Sequence, residues 1–223
     1  MKLIMFDIDG TLTATNNVDT ECYAGAMAEY LGRPIDTEWA QYRHVTDSGI
    51  AAEIFEKHGR RVSEIALVRD RFVRRIAEAL GASPEHCGQI GGATEFLKAL
   101  RARPDVRISL ATGGWAASAK AKLDHAGINV DGLEFASADD AESRIDIMKI
   151  CRTRVMAREP SIDKVIYVGD GLWDAQAARE LGWSFVGIGV GEHAARLSEH
   201  GARAVFEDYS DQPALMRALV GEP

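Results

Sequence analysis

Apolar residues along the chain fall into two alternating patterns. Short runs without polar alternation, KLIMF (2–6), VRISLA (106–111), GLEFA (132–136), KVIYV (164–168), WSFVGIG (183–189) and RAVF (203–206), are rich in Ile, Val and Leu. Such runs fit strands buried on both faces. Between them lie stretches whose apolar residues recur every three or four positions, the period of a helix with one buried side. The alternation predicts an α/β fold, a doubly wound parallel sheet of five or six strands with helices packed on each side.

Residues from about 15 to 88 break this rhythm, with helical periods and no convincing strand. Capping and glycine signals predict helices from Asp19 to Leu31 with Gly32 beyond, from Asp36 to about Tyr42, from Thr46 to His58 with Gly59 beyond, and from Ser63 to Leu80 with Gly81 beyond. In the last of these, Ile65, Val68, Phe72, Ile76 and Leu80 form an apolar stripe with arginines opposite. The expected organisation is a sheet domain of residues 1–14 and 89–223, with residues 15–88 inserted after the first strand as a small helical-bundle cap.

Composition narrows the classes. A formal net charge of −8 over 223 residues argues against a nucleic-acid binder, and the densest basic stretches, Arg60-Arg61 and Arg71, Arg74 and Arg75, fit solvated helix faces. Cys22, Cys87 and Cys151 lie far apart with no CxxC pairing, which suits a reducing compartment and inert thiols. KLIMF is too short for a signal segment, and no apolar run approaches membrane length. The expectation is a soluble cytoplasmic protein, monomer or small homo-oligomer, with no membrane or nucleic-acid partner.

The chemistry lies where the apolar runs stop. MFDIDGTLT (5–13) sets Asp7 and Asp9 two positions apart before Gly10. Asp-Gly alone reads as a turn, so this is only a solvated corner unless the same edge gathers further polar groups. It does. The second strand ends in ATGGW (111–115), where Thr112 offers a hydroxyl and Gly113 and Gly114 let backbone approach a ligand ahead of a helix near Trp115. A later strand ends in VGDGLWD (168–174), delivering Asp170 and Asp174. In a parallel doubly wound sheet these ends open on one crevice. Four carboxylates cannot all ionise there without large like-charge costs, so the cluster either holds protons or holds a hard cation; oxygen-only ligands suit Mg²⁺, which commonly shares its shell with phosphate. The reading is phosphoryl chemistry.

On these motifs, over nearly the whole chain, the sequence resembles the haloacid dehalogenase superfamily, specifically its capped phosphatases of the phosphoglycolate phosphatase and β-phosphoglucomutase kind. The resemblance implies that Asp7 attacks phosphorus and becomes an aspartyl phosphate, and that Asp9 protonates the leaving alcohol and later takes a proton from water. It implies that Thr112 and the Gly113 amide hold phosphoryl oxygens, and that the Asp7 side chain, Asp9 carbonyl and Asp170 bind Mg²⁺ with Asp174 completing or orienting the shell. Relatives that cleave carbon–halogen bonds lack the second aspartate, and Asp9 argues against that activity. Family phosphatases usually carry a lysine, often followed by proline, before the last acidic motif. No Lys-Pro occurs here, and the candidates in AESRIDIMKI (141–150) are Arg144 and Lys149. Arg144 is favoured as catalytic and phosphate-binding, being nearer the start of its helix with Ser143 as a cap and at closer to the usual spacing from Asp170.

The resulting expectation is a Mg²⁺-dependent phosphatase of a small phosphorylated metabolite. The alternatives are a phosphosugar mutase on the same fold and a non-catalytic phosphate-binding module. RHVTDSGI (43–50) offers His44, Thr46 and Ser48 as substrate contacts if this cap turn faces the crevice; otherwise Thr46 or Asp47 only caps a helix. GIGVGEHAARL (187–197) lacks the last glycine of GxGxxG, where Glu192 stands, and is no dinucleotide loop. His58, His125 and His200 read as helix-end residues, and Trp39, Trp173 and Trp183 as packing.

Overall fold

A computed structural model describes residues 1–82 and 87–221. Residues 83–86, expected in the inserted segment, and 222–223, expected in the sheet domain, lie outside the described residues. Among the described residues six parallel strands, β1 (Lys2–Phe6), β2 (Val106–Ala111), β3 (Glu134–Ala136), β4 (Lys164–Gly169), β5 (Ser184–Ile188) and β6 (Val205–Phe206), pair in the order β3-β2-β1-β4-β5-β6. Each strand matches one of the apolar runs. The order reverses at β1, which pairs with β2 on one side and β4 on the other, Phe6 standing opposite both Leu110 and Val168. The chain therefore leaves β1, β2 and β4 side by side, at the switch point where such sheets bind ligands.

Leu3, Ile4, Met5 and Phe6 are all fully buried, which explains why β1 shows no polar alternation. Alternate residues feed two cores. Ile4 and Phe6 pack with helices α4 (Ala93–Arg101), α5 (Ala116–His125) and α9 (Gln212–Val220). Leu3 and Met5 pack with α6 (Arg144–Arg158), α7 (Leu172–Glu180) and the inserted helices α1 (Asn16–Leu31), α2 (Asp47–Lys57) and α3 (Ile65–Ala82). The remaining helix, α8 (Gly191–Glu199), follows β5.

The inserted helices share this second core. Val68, Phe72, Ile76 and Leu80 are the buried stripe of α3, as the periodicity requires. Phe72, Tyr23 of α1 and Trp115, which precedes α5, form a three-ring cluster with centroids 5.6–5.7 Å apart. Arg69 of α3 adds an ion pair to Asp139 at 2.6 Å.

One expected helix is absent. Asp36 to Tyr42 holds only a 3₁₀ turn, Trp39–Gln41. Side chains outcompete the helical ladder here: Asp36 Oδ1 accepts from the Glu38 amide and the Tyr42 hydroxyl donates back to the Asp36 carbonyl. The helix expected from Ser63 begins at Ile65 after another 3₁₀ turn, Val62–Glu64, and α1 begins at Asn16, before Asp19. No helix among the described residues is long and apolar enough to cross a membrane. All three cysteines are buried, and burial pushes the Cys151 thiol up to about 11.

Truncating the ring that joins the insertion to the sheet domain tests this packing. Phe72→Ala should cost about 3–5 kcal/mol in urea unfolding, the range for large aromatic truncations in a core. A cost below about 1 kcal/mol would mean that the α3 stripe is not core.

Candidate active site

The loop after β1 turns sharply because Gly10 adopts φ +71° and the amides of Thr11, Leu12 and Thr13 all point at the Ile8 carbonyl. Glycine is required twice over at position 10. A side chain there would be strained, and its Cβ would collide with the Asp170 carboxylate and the Asn16 amide. The turn thus lets β4 deliver Asp170 against the end of β1. Asp170 Oδ2 accepts from Asn16 Nδ2 at 2.8 Å, and its carbonyl from His193 Nε2 at 2.6 Å.

Asp7, Asp170 and Asp174 each present a carboxylate oxygen within 4.8 Å of the others. Burial, then the charge of Asp174, pushes Asp7 up to about 7, against the pull of Arg144. Burial, then Asp7, pushes Asp170 up to about 7. Asp174 rises to about 6, again through burial, opposed by Arg144. The group is short of positive charge. Asp174 Oδ1 lies 2.8 Å from Arg144 Nη1 but without hydrogen-bond geometry, so it remains an unsatisfied buried acceptor. An all-oxygen, charge-deficient donor set with an orphaned carboxylate oxygen fits a hard divalent cation such as Mg²⁺.

Arg144 opens α6 after Ser143, whose hydroxyl accepts from the Asp146 amide at 3.2 Å. Its Nη1 lies 3.4 Å from Asp7 Oδ1, and Nη2 donates to the Val45 carbonyl at 3.2 Å. Among the described residues, Arg144 Nε is buried without a hydrogen-bond partner. Lys149 instead pairs with Asp146 on the exposed side of α6. Of the two basic candidates, Arg144 stands among the carboxylates. A Cβ on Gly113 would come within 2.4 Å of Arg144 Nη2, so a side chain there would displace the guanidinium.

Asp7, Asp9, Thr112, Gly113, Arg144 and Asp170 line one cavity of roughly 610 Å³. The Asp9 carboxylate stands apart from the three-carboxylate group. Its Oδ1 accepts from Thr15 Oγ1 at 2.5 Å and its Oδ2 from Lys122 Nζ at 2.6 Å, so both carboxylate oxygens are held.

The cap turn is fastened to the sheet domain. Thr46 caps α2 by accepting from the Gly49 amide, and its hydroxyl donates to the Glu142 carbonyl. The Asp47 amide donates to the Gly113 carbonyl, while its Oδ2 accepts from the Trp115 amide. Ser48 Oγ donates to the Ala138 carbonyl and accepts from Trp115 Nε1. Thr46 borders the cavity, whereas His44 and Ser48 are not among its lining residues. Ser48 spends its hydroxyl on anchoring the turn. The wall beyond the carboxylates comes from Thr20, Trp39, Ile50, Trp173 and Arg196. Trp39 and Trp173, expected only as packing, face the cavity.

Sequence reasoning missed Lys122, Asp19 and His193. One signal was available: Ala119, Lys122 and Leu123 share the buried side of α5, and a lysine at an apolar-face position is anomalous.

Residues 1–182 match the family described as haloacid dehalogenase-like hydrolase. The chain belongs to that family. No curated protein sequence matches it. Among solved structures it is similar to a hydrolase from Pseudomonas syringae (20% identity, TM-score 0.73, covering 97% of this chain and 98% of that one). It is also similar to a HAD family hydrolase from Deinococcus radiodurans R1 with bound phosphate and sodium (22%, 0.61, 99% and 98%). A third is CbbY from Rhodobacter sphaeroides in complex with phosphate (18%, 0.65, 94% and 95%). At these identities the likeness is one of fold.

The charge deficit of this haloacid dehalogenase-like hydrolase has a thermodynamic signature. Unfolded carboxyls titrate near ~4, whereas folded Asp7 and Asp170 hold protons up to about pH 7. Between those limits the folded state binds more protons, so this contribution to stability is full below ~4 and is lost as pH rises through about 7. Metal-free protein should therefore melt at higher temperature as pH falls from about 8 to about 6, and Mg²⁺ should flatten that slope. A slope of opposite sign, or one indifferent to Mg²⁺, would contradict the deficit.

Proposed function

We propose that the chain is a Mg²⁺-dependent phosphomonoester hydrolase that cleaves a small phosphorylated metabolite through an aspartyl phosphate on Asp7. The observation that carries this reading is the meeting of the Asp7 carboxylate, the Arg144 guanidinium and the Thr112–Gly113 loop on one cavity, with Asp9 two residues away.

In the first half-reaction an Asp7 oxygen attacks phosphorus, the bond to the ester oxygen breaks, and protonated Asp9 gives its proton to the departing alkoxide. Charge building on the phosphoryl oxygens meets the Arg144 guanidinium, the Thr112 hydroxyl and backbone donors of the Gly113 loop. In the second, ionised Asp9 takes a proton from water as that water attacks phosphorus, which frees Asp7 and inorganic phosphate. The Asp7, Asp170 and Asp174 carboxylates, with the Asp9 carbonyl, would hold Mg²⁺, which when bound offsets their charge and that of the phosphate. The leaving group would lie against Thr20, Trp39, Ile50 and Trp173, and the anchored 45–48 turn helps to exclude water.

The test is phosphate release from a panel of phosphorylated metabolites with Mg²⁺. EDTA should silence it and Mg²⁺ restore it. Asp7→Asn keeps the shape but removes the nucleophile, so turnover should fall by several orders of magnitude while the melting profile survives. Wild-type activity in this variant rules out the covalent route. Stoichiometric phosphate marks hydrolysis; an isomerised phosphosugar without phosphate marks the mutase.

Asp9→Asn separates the acid role from the rest. Phenyl phosphate, with its poorer leaving group, should lose about a hundredfold in kcat/KM, and p-nitrophenyl phosphate much less. Equal losses on both would remove Asp9 as the acid.

A further inference from the structure

Lys122 is a fully buried cation to which the catalytic scheme gives no task. It projects from the side of α5 that buries Ser118, Ala119 and Leu123, and none of its side chain reaches solvent. An ammonium there must be matched by charge or hydrogen bonds, because desolvation costs several kcal/mol. Two carboxylates close on Nζ, Asp9 Oδ2 at 2.6 Å and Asp19 Oδ1 at 2.6 Å. They come from different parts of the molecule. Asp9 belongs to the loop after β1, and Asp19 to the first turn of the inserted helix α1.

The geometry at Asp9 is over-determined. Thr15 Oγ1 holds one carboxylate oxygen and Lys122 Nζ the other, and Thr15 is itself bonded to Thr13 Oγ1 at 2.6 Å. A hydrocarbon side chain of the same length could fill the space under α1, since a buried ion triad is a weak source of net stability. What a hydrocarbon could not do is fix the rotamer of Asp9. We propose that Lys122 is a positioning residue for catalysis, braced by Asp19 of the cap, that holds the Asp9 carboxylate in line with the ester oxygen of the substrate. The assignment rests on the reading of Asp9 as acid and base. It also makes alignment of that group depend on α1 being docked, because the brace belongs to the inserted segment.

The experiment compares kcat/KM for phenyl phosphate and p-nitrophenyl phosphate in wild type and Lys122→Met. Misaligned Asp9 should make the poorer leaving group suffer about tenfold more than the better one, in the direction of Asp9→Asn but smaller. Losses equal on the two esters, or none, overturn the assignment, since a structural role removes active protein without regard to the leaving group. If Lys122→Met does not fold because Asp9 and Asp19 are left facing each other, Lys122→Met combined with Asp19→Asn relieves the repulsion and carries the same comparison. The selective loss should persist there; a wild-type ratio overturns the proposal. Wild-type protein that frees phosphate from neither ester fails at the earlier step, overturning the phosphatase reading and this inference with it.

Discussion

Carboxylates crowd the carboxyl edge of the central strands, and the way two buried cations divide them organises everything else in the site. Arg144 lies between Asp7 and Asp174, and Lys122 between Asp9 and Asp19. The division is unequal. Around Lys122 one ammonium serves two carboxylates, both in contact at 2.6 Å; Thr15 completes the shell of Asp9, and Asp19 is pushed up to about 6, first by burial. Around Arg144 one guanidinium serves two carboxylates at 3.4 and 2.8 Å while Asp170 has no ion-pair partner among the described residues, and Asp7 and Asp170 are both pushed up to about 7, first by burial. Both groups are therefore short of positive charge, but the carboxylates around Lys122 are held by direct hydrogen bonds, whereas those around Arg144 are held more loosely. An unfinished anionic pocket beside hydroxyl and backbone donors is suited to a divalent cation and a phosphoryl group together.

The inserted helices are part of this arrangement. Asp19 neutralises Lys122 from α1, the Val45 carbonyl takes a hydrogen bond from Arg144, and the Asp47 carboxylate caps the start of α5 through the Trp115 amide. Trp115 cannot cap its own helix, and two carboxylates take the amides there: Asp47 of the insertion accepts from the Trp115 amide and Asp139 of the sheet domain from the Ala116 amide. The same tryptophan sits in the ring cluster with Tyr23 and Phe72. Docking of the insertion and the shape of the Thr112–Trp115 loop are thus one packing event. The 45–48 turn, with its hydrogen bonds spent on the sheet domain, shapes the pocket by holding Arg144 and Gly113, and leaves the far wall to Trp39, Trp173 and Arg196.

Much of this was legible in the amino-acid sequence. Every strand was visible as an apolar run, because a parallel strand covered on both faces has no reason to alternate. The carboxylates and glycines at the ends of those runs marked the crevice, because strand order in a doubly wound sheet brings the ends of the first, second and later strands to one edge. Ser143 as a cap and Arg144 one residue on followed from local helix rules. What stayed hidden was whatever depends on partners remote in sequence. That Arg144 and not Lys149 meets Asp7 depends on which side of α6 packs inward. That Asp36–Tyr42 does not form a helix depends on side-chain bonds that compete with the ladder. Ser48 could not be told from a substrate ligand until Trp115 and Ala138 were seen to claim its hydroxyl. Lys122 reads as a surface residue by type, and only the docking of α1 and the β1 loop over α5 buries it and supplies the two carboxylates that make burial tolerable. The sequence by itself determined the elements and the chemistry at their ends, since both are written in local patterns; the tertiary structure alone decided how buried charges were paired, since that pairing is a matter of distance between residues 103 and 113 positions apart.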